Sequence, residues 1–328
     1  MAKGWHWDFE DDEGARATST AAPPAGPPPP SGPSAPGAGG PHRIRVRRRR
    51  ALAMIAGVAA IAISIVALAQ GHHRVSAQSH AAAGGSRTPP LRPASPPQPE
   101  NDKHAAVASV LAYTPFIKEG TARKPEVALT FDDGPGPYTP AVLGVLEHYG
   151  VHATFFVIGR MLQYFGESAR RAVNDGDVLG DHTETHPALA PLSAHDQYEQ
   201  LFEQAARVEL QGAPRPDLFR PPYGSFNATT MAQLQRLHML MVLWSVDSGD
   251  YEQPGVATIV QRALAGAHPG AIILLHDAGG TRTETVEALP LIIRGLRARG
   301  LKPVTVPQLL ADDPPLSGLP LPSSLAGD

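Results

Sequence analysis

The sequence predicts an α/β domain with a parallel sheet and helices outside it, closed or open, on three observations. Short apolar runs alternate with amphipathic stretches over about 190 residues from Glu126 onward. Helix start signals (Thr139-Pro140, Ser193, Asn227) and stop signals (Gly150, Gly212, Gly300) fall between those runs. Polar clusters follow the apolar runs directly, and parallel folds collect ligands at the C-terminal ends of their strands.

Composition bounds how far that domain extends. With 35 Pro and 32 Gly in 328 residues, part of the chain must be linker. Residues 1–50 open on an acidic, aromatic stretch (Trp5 to Glu13), run through Pro/Gly/Ala/Ser repeats and end in a basic run closing with Arg47 to Arg50. They offer nothing to bury and are expected to be a disordered tail. Ala51 to Ala69 is nineteen residues without a charge, enough to cross a ~30 Å hydrocarbon core. The Arg block before it places the N-terminus in the cytoplasm and everything downstream outside. An uncleaved single-pass anchor in the bilayer is expected. The alternative is a signal peptide cut near Ala67-Leu68-Ala69, which would release a secreted domain. Residues 70–120, with Pro89-Pro90 and Pro96-Pro97, read as an extracytoplasmic flexible tether.

The domain is expected over 121–312. Val127 to Phe131 reads as a strand, then a helix N-capped by Thr139, then a strand from Thr154 to Ile158. Further helices are expected from Ser193 to about Leu210 and from Asn227 to His238, with one strand over Met239 to Val246 after them. A helix near Val256 to Ala265, a strand from Ala271 to His276, a helix from Thr283 to Arg299 and a last strand at Val304 to Val306 complete the domain. Residues 313–328 read as an unstructured tail.

Charge and cysteine content narrow the function. A net charge of -3 gives no reason to expect nucleic acid as a partner, and with no Cys any metal site must be built from His and carboxylate. Asp132 and Asp133 leave a strand together. Successive strand residues point to opposite sides, so one can ligate a metal while the other takes a proton. His182 and His186, four apart, would face one way on a helical turn. One of two such spacings in the chain, this pair stands out by following the apolar Val178-Leu179; His148/His152 reads as surface. Two imidazoles and a carboxylate leave metal positions open, which suits hydrolysis and equally a non-haem iron oxygenase; the second carboxylate, Asp132, argues for the hydrolase.

Thr130-Phe131-Asp132-Asp133-Gly134-Pro135, His182-Thr183-Glu184-Thr185-His186-Pro187, Arg220-Pro221-Pro222-Tyr223-Gly224, Asp247-Ser248-Gly249-Asp250-Tyr251 and Leu274-Leu275-His276 stand in that order. Together they resemble the five motifs of the polysaccharide deacetylases of the NodB-homology type, carbohydrate esterase family 4, across about residues 124 to 311. The resemblance implies a distorted (β/α) barrel of seven or eight strands with its site at the C-terminal face. It implies that Asp133, His182 and His186 hold a divalent metal, commonly zinc, with cobalt, nickel or manganese as alternatives. Asp132 would be the general base, positioned by Arg220, and His276 the general acid, oriented by Asp250. The backbone N–H of Tyr223 would stabilise the oxyanion, and Leu274 and Tyr251 would wall the acetyl pocket. The chain departs from the family in having Tyr251 for the usual Trp and Asp181 for the usual Asn before the first metal His. The second departure is expected to add a carboxylate near the metal.

With the anchor, the resemblance implies removal of N-acetyl groups from N-acetylglucosamine in a cell-wall glycan, with peptidoglycan as the expected polymer. Chitooligosaccharide deacetylation and xylan O-deacetylation share the same catalytic set. A silent glycan-binding module is the non-enzyme alternative.

Overall fold

The computed structural model describes residues 100–318 and 320. The expected tail at 1–50, the anchor at 51–69 and the tether up to residue 99 lie outside the described residues. Among the described residues no helix is long and apolar enough to cross a membrane.

The described residues form nine strands, β1 (Phe116–Ile117), β2 (Glu126–Asp132), β3 (Thr154–Val157), β4 (Val178–Asp181), β5 (Leu218–Phe219), β6 (Leu240–Val242), β7 (Val246–Asp247), β8 (Ile272–His276) and β9 (Lys302–Val304). Eight run in the order β1-β6-β5-β4-β3-β2-β8-β7, every neighbouring pair parallel, and β9 pairs with the start of β2. The expected distorted barrel is therefore an open, curled half-barrel. Its edge strands β1 and β7, each two residues long, pair only with β6 and β8 and not with one another.

The helices are α1 (Glu100–Leu111), α2 (Thr139–Tyr149), α3 (Leu162–Asp175), α4 (Ala194–Leu210), α5 (Ala228–Leu237), α6 (Val256–Gly266), α7 (Thr283–Ala298) and α8 (Val306–Asp312). α3, which has no clear start signal, was absent from the sequence reading. Ser193 and Asn227 cap α4 and α5 as expected, each accepting a backbone N–H with its side chain.

Five expectations are corrected. Tyr138, not Thr139, is the N-cap of α2; the Thr139 hydroxyl instead accepts from Gly136 N and donates to the Asp277 carboxylate. The single strand over Met239 to Val246 is two, because Leu243 to Ser245 leave the ladder and carry the chain from β6 beside β1 to β7 beside β8. Val306 opens α8 instead of ending a strand, since Thr305 caps it through Gln308 N. The tether expected to reach residue 120 already contains α1 and β1: Val107 and Val110 of α1 are buried with Leu309 and Leu310 of α8. At the other end, Asp313 is buried and accepts from Thr121 Oγ1 and Arg123 N, so the chain stays packed past the expected limit of 312.

All seven residues of β2 are buried, as a strand covered on both faces requires. Its alternation separates two cores. Val127, Leu129 and Phe131 face the helices, sharing a cluster with Val142, Leu146, Leu289 and Ile293. Ala128 faces the hollow of the half-barrel with Phe156, Ile272, Val304 and the apolar residues of α1 and α8. Period two then puts Thr130 and Asp132 on that inner face, nearer the C-terminal end. There the apolar filling gives way to polar groups.

Candidate metal centre and active site

Asp132 ends β2 and its side chain follows the strand's alternation. Asp133 does not: its φ is 73°, a left-handed conformation that Asp tolerates better than most residues. That turn brings its carboxylate back to the cavity Asp132 faces, correcting the expectation that the two diverge. The loop after β8 leaves room for it, because a Cβ on Gly279 (φ 74°) would overlap Asp133 Oδ2.

His182 and His186 are also aimed by unusual backbone and not by a helical turn. Thr183 (φ 68°) and His186 (φ 62°) are left-handed, and the loop closes on itself where Thr183 N donates to Asp181 Oδ1 at 2.7 Å and His186 N to Thr183 Oγ1 at 2.9 Å. A positive φ at a β-branched residue persists only where its surroundings hold it. His182 Nε2 lies 3.5 Å and His186 Nε2 3.1 Å from Asp133 Oδ1. One ligand atom from each of the three residues falls within 4.8 Å of the others, the one such group among the described residues.

These residues fit a divalent cation. Asp133 Oδ1 is buried and receives no hydrogen bond. His182 Nδ1 sits 2.7 Å from the carbonyl of Arg220, which places its proton there and turns the Nε2 lone pair to the cavity. His186 Nδ1 is 3.1 Å from the Tyr223 hydroxyl. Burial pushes the Asp133 carboxyl up, but the His186 and His182 imidazoles outweigh it and hold the group well below the usual carboxylate range. An anionic oxygen and two oriented imidazole nitrogens around a desolvated point form a donor set that fits a divalent cation with positions left open.

Arg220, following β5, has no exposed surface. It donates to Asp132 Oδ1 and Thr130 Oγ1, each at 2.8 Å, and to the carbonyls of Val242 and Leu243, while its guanidinium lies 4.2 Å from the Phe156 ring centroid. Burial lowers its pKa and the Asp132 charge opposes that shift. Its proton stays on, because a guanidinium begins far above neutrality. One carboxylate oxygen of Asp132 is thereby held by Arg220, and Oδ2 lies 3.9 Å from His182 Nε2.

Across the cavity, Asp250 accepts from His276 at two points, 2.8 Å from Nδ1 and 2.8 Å from the backbone N, and from Thr285 Oγ1 at 2.8 Å. Burial disfavours the imidazolium of His276, but Asp250 more than compensates, with Asp133 and Asp132 adding to it, and its pKa is pushed up to about 9. Asp250 moves the opposite way: burial raises it, and His276 with its hydrogen bonds brings it below the ordinary value.

A pocket of about 250 Å³ opens among these groups. Asp132, Asp133, His182, His186, Tyr223, Tyr251, Leu274 and His276 all line it, and Arg220 and Asp250 stand buried behind. Four lining residues had no assigned role in the sequence reading. Pro221 and Asp247 lay within quoted motifs, Trp244 was hidden inside the supposed single strand, and Arg282 had no local signal at all. Tyr251 sets its ring edge-on to His276, and its hydroxyl is 3.3 Å from Asp247 Oδ2; burial and that carboxylate push its pKa up to about 12. Tyr223 is left-handed (φ 58°) and carries a half-exposed side chain, whose hydroxyl at His186 the sequence reading did not foresee.

Asp181 is corrected. It is not part of the metal group; it is fully buried, bonded to Thr183 N, with Oδ2 unpartnered, and burial raises its pKa well above the usual value. Its effect on the site runs through the loop backbone.

The polysaccharide deacetylase family model matches residues 119–242. The chain is 35% identical over 196 residues to a peptidoglycan-N-acetylglucosamine deacetylase of Bacillus cereus, covering 59% of this chain and 71% of that protein. It is 39% identical over 198 residues to a chitooligosaccharide deacetylase of a Bradyrhizobium species, covering 56% and 90%. Among solved structures, a CE4 family pseudoenzyme from Bacillus anthracis superposes with a TM-score of 0.57 at 31% identity, covering 60% of this chain and 69% of that one.

Proposed function

The chain belongs to the polysaccharide deacetylase family, and on that premise we propose that it is a metal-dependent hydrolase that removes N-acetyl groups from N-acetylglucosamine units of peptidoglycan. One observation carries the reading: the Asp133, His182 and His186 donor set shares a single pocket with an Arg-held carboxylate on one side and an Asp-held imidazole on the other. A divalent cation bound by that set, zinc in the first instance, supplies Lewis-acid polarisation of the acyl carbonyl and lowers the pKa of water.

The chain's own residues supply the rest. Asp132, oriented by Arg220, takes a proton from the attacking water as the new C–O bond forms. The backbone N–H of Tyr223 donates to the oxygen on which negative charge develops, an interaction that strengthens toward the transition state. His276, a cation at neutral pH because Asp250 supports its charge, gives its proton to the departing nitrogen as the C–N bond breaks. Acetate and a free amine result. Leu274 and Tyr251 wall the acetyl group, and Trp244 extends that wall.

Substrate choice within the family is the finer claim. The likeness to a peptidoglycan deacetylase supports it, as do an apolar run at 51–69 long enough to anchor an outward-facing domain and the proline-rich tether behind it. The chitooligosaccharide deacetylase relative keeps that substrate as the rival. Metal analysis of the purified protein, combined with acetate release from peptidoglycan strands, chitooligosaccharide and acetylated xylan, tests site and reaction together. Acetate from xylan alone would overturn the peptidoglycan reading. Activity with zinc under anaerobic conditions would eliminate an iron oxygenase.

A second reading, a silent glycan-binding module, draws on the likeness to a pseudoenzyme. It predicts glycan binding with no acetate release under any metal. The presence of Asp132, Arg220, His276 and Asp250 in bonded pairs favours the enzyme.

A further inference from the structure

Glu184 lies midway between His182 and His186, yet it points away from the pocket and is 4% exposed. Its Oε1 meets Arg207 Nε of α4 at 2.6 Å. Arg207 is in turn held on its other side: with the Gln163 amide oriented to suit its neighbours, the Gln163 oxygen accepts from Arg207 Nη1 at 2.8 Å and Nη2 at 3.1 Å. Gly159 makes the seat, since a Cβ there would overlap Glu184 Oε2.

The backbone of the same loop is tied at both flanks. Gly159 N donates to the Thr183 carbonyl at 3.0 Å and Arg160 N to the Glu184 carbonyl at 2.9 Å. On the α4 side, Glu184 N donates to the Gln200 carbonyl at 2.9 Å and Thr185 N to Gln200 Oε1 at 2.9 Å. Five residues that carry both imidazoles, two of them left-handed, are thus gripped between the turn after β3 and helix α4. Glu184 is the one side chain of the five whose charge is spent on that grip and not on the pocket.

We propose that Glu184 and Arg207 are positioning residues: their ion pair locks the His182–His186 loop so that both imidazoles meet Asp133 in ligating geometry. The inference rests on the metal reading of the site. Ligands on a loop must hold their relative positions to within a fraction of an ångström, and partners outside the ligand shell that fix them change metal affinity by roughly 10–100-fold when removed.

The test is zinc affinity of the full chain, measured by competition with a chromophoric chelator, for the wild type, Glu184→Gln, Arg207→Met and the double variant. Arg207→Met would strand the buried Glu184 carboxylate, so the double variant, which removes both charges together, keeps the comparison open if a single variant does not fold. Each single variant should bind zinc roughly 10–100-fold more weakly, and the double no more weakly than the worse single, since the two act as one unit. A lower melting temperature of the metal-free protein with zinc affinity within about twofold of wild type would mark the pair as merely structural and overturn the inference. A wild type that binds no zinc would sink the metal reading itself, a different result from a wild type and variants that bind alike.

Discussion

Arg220 reaches both halves of the site at once: its guanidinium donates to Asp132 Oδ1 at 2.8 Å while its own carbonyl, 2.7 Å from His182 Nδ1, accepts that imidazole's proton. One residue at the end of β5 therefore orients the carboxylate expected to act as base and sets the tautomer of a proposed metal ligand. Because it is fully buried, any change to it leaves Asp132 without its charge partner.

Arg220→Met should lower kcat/KM for acetate release by about 100-fold or more, since the base loses its orientation. It should also destabilise the fold by roughly 3–5 kcal/mol, the cost of stranding a buried carboxylate. Arg220→Lys should recover little of either, because an ammonium cannot span Asp132, Thr130 and two carbonyls from one plane. Steady-state kinetics and chemical denaturation check both.

Asp250→Asn should move the alkaline limb of the kcat/KM profile downward. His276 is raised from 6.5 to about 9, mainly by Asp250 acting against burial. A raised pKa means the proton is held preferentially in the folded state, so its stabilising contribution is complete below about 6.5 and is lost as pH climbs through about 9. Without that carboxylate, only the more distant Asp133 and Asp132 charges oppose burial, and the limb should fall well short of 9. A limb unchanged near 9 would remove His276 from the role of acid.

Gly279→Ala should expel the metal without unfolding the domain. The added Cβ collides with Asp133 Oδ2, and the φ of 74° costs a further ~1 kcal/mol for a residue with a side chain. Metal content by elemental analysis should fall with a small change in melting temperature.

Asp181→Asn should be increasingly stabilising as pH rises above the ordinary carboxyl value and leave acetate release within about twofold of wild type. The carboxyl's pKa is raised well above 3.8 by burial, so its ionisation opposes folding as pH rises, and Asn keeps an oxygen for Thr183 N while carrying no charge. The melting temperatures of variant and wild type should separate progressively as pH rises from the ordinary carboxylate range. A separation that does not change with pH from about 4 upward would disprove the assigned burial effect.

Glycine and capping signals at Ser193, Asn227, Gly150 and Gly300 located four helix ends, because those positions are set by local backbone chemistry. Local signals failed where tertiary packing overrode them. Leu243 to Ser245 look like strand and are a crossing between two sheet positions; α3 has no side-chain cap at its start; Thr139 spends its hydroxyl on Asp277. The chemistry-bearing residues were legible as polar clusters behind apolar runs, whereas Arg282 and Trp244 reach the pocket through loops whose course depends on the whole sheet.

Sequence alone determined that the chain carries an α/β domain, which residue types stand at its strand ends, and which family they resemble, because alternation, capping and motif order are written residue by residue. Tertiary structure decided that the sheet stays open, that Asp132 and Asp133 face one cavity, and that Asp181 serves the loop and not the metal. The last two outcomes depend on left-handed backbone at Asp133, Thr183 and His186, held by contacts from segments distant in sequence, and the first on how strands far apart in the chain pair along the whole sheet.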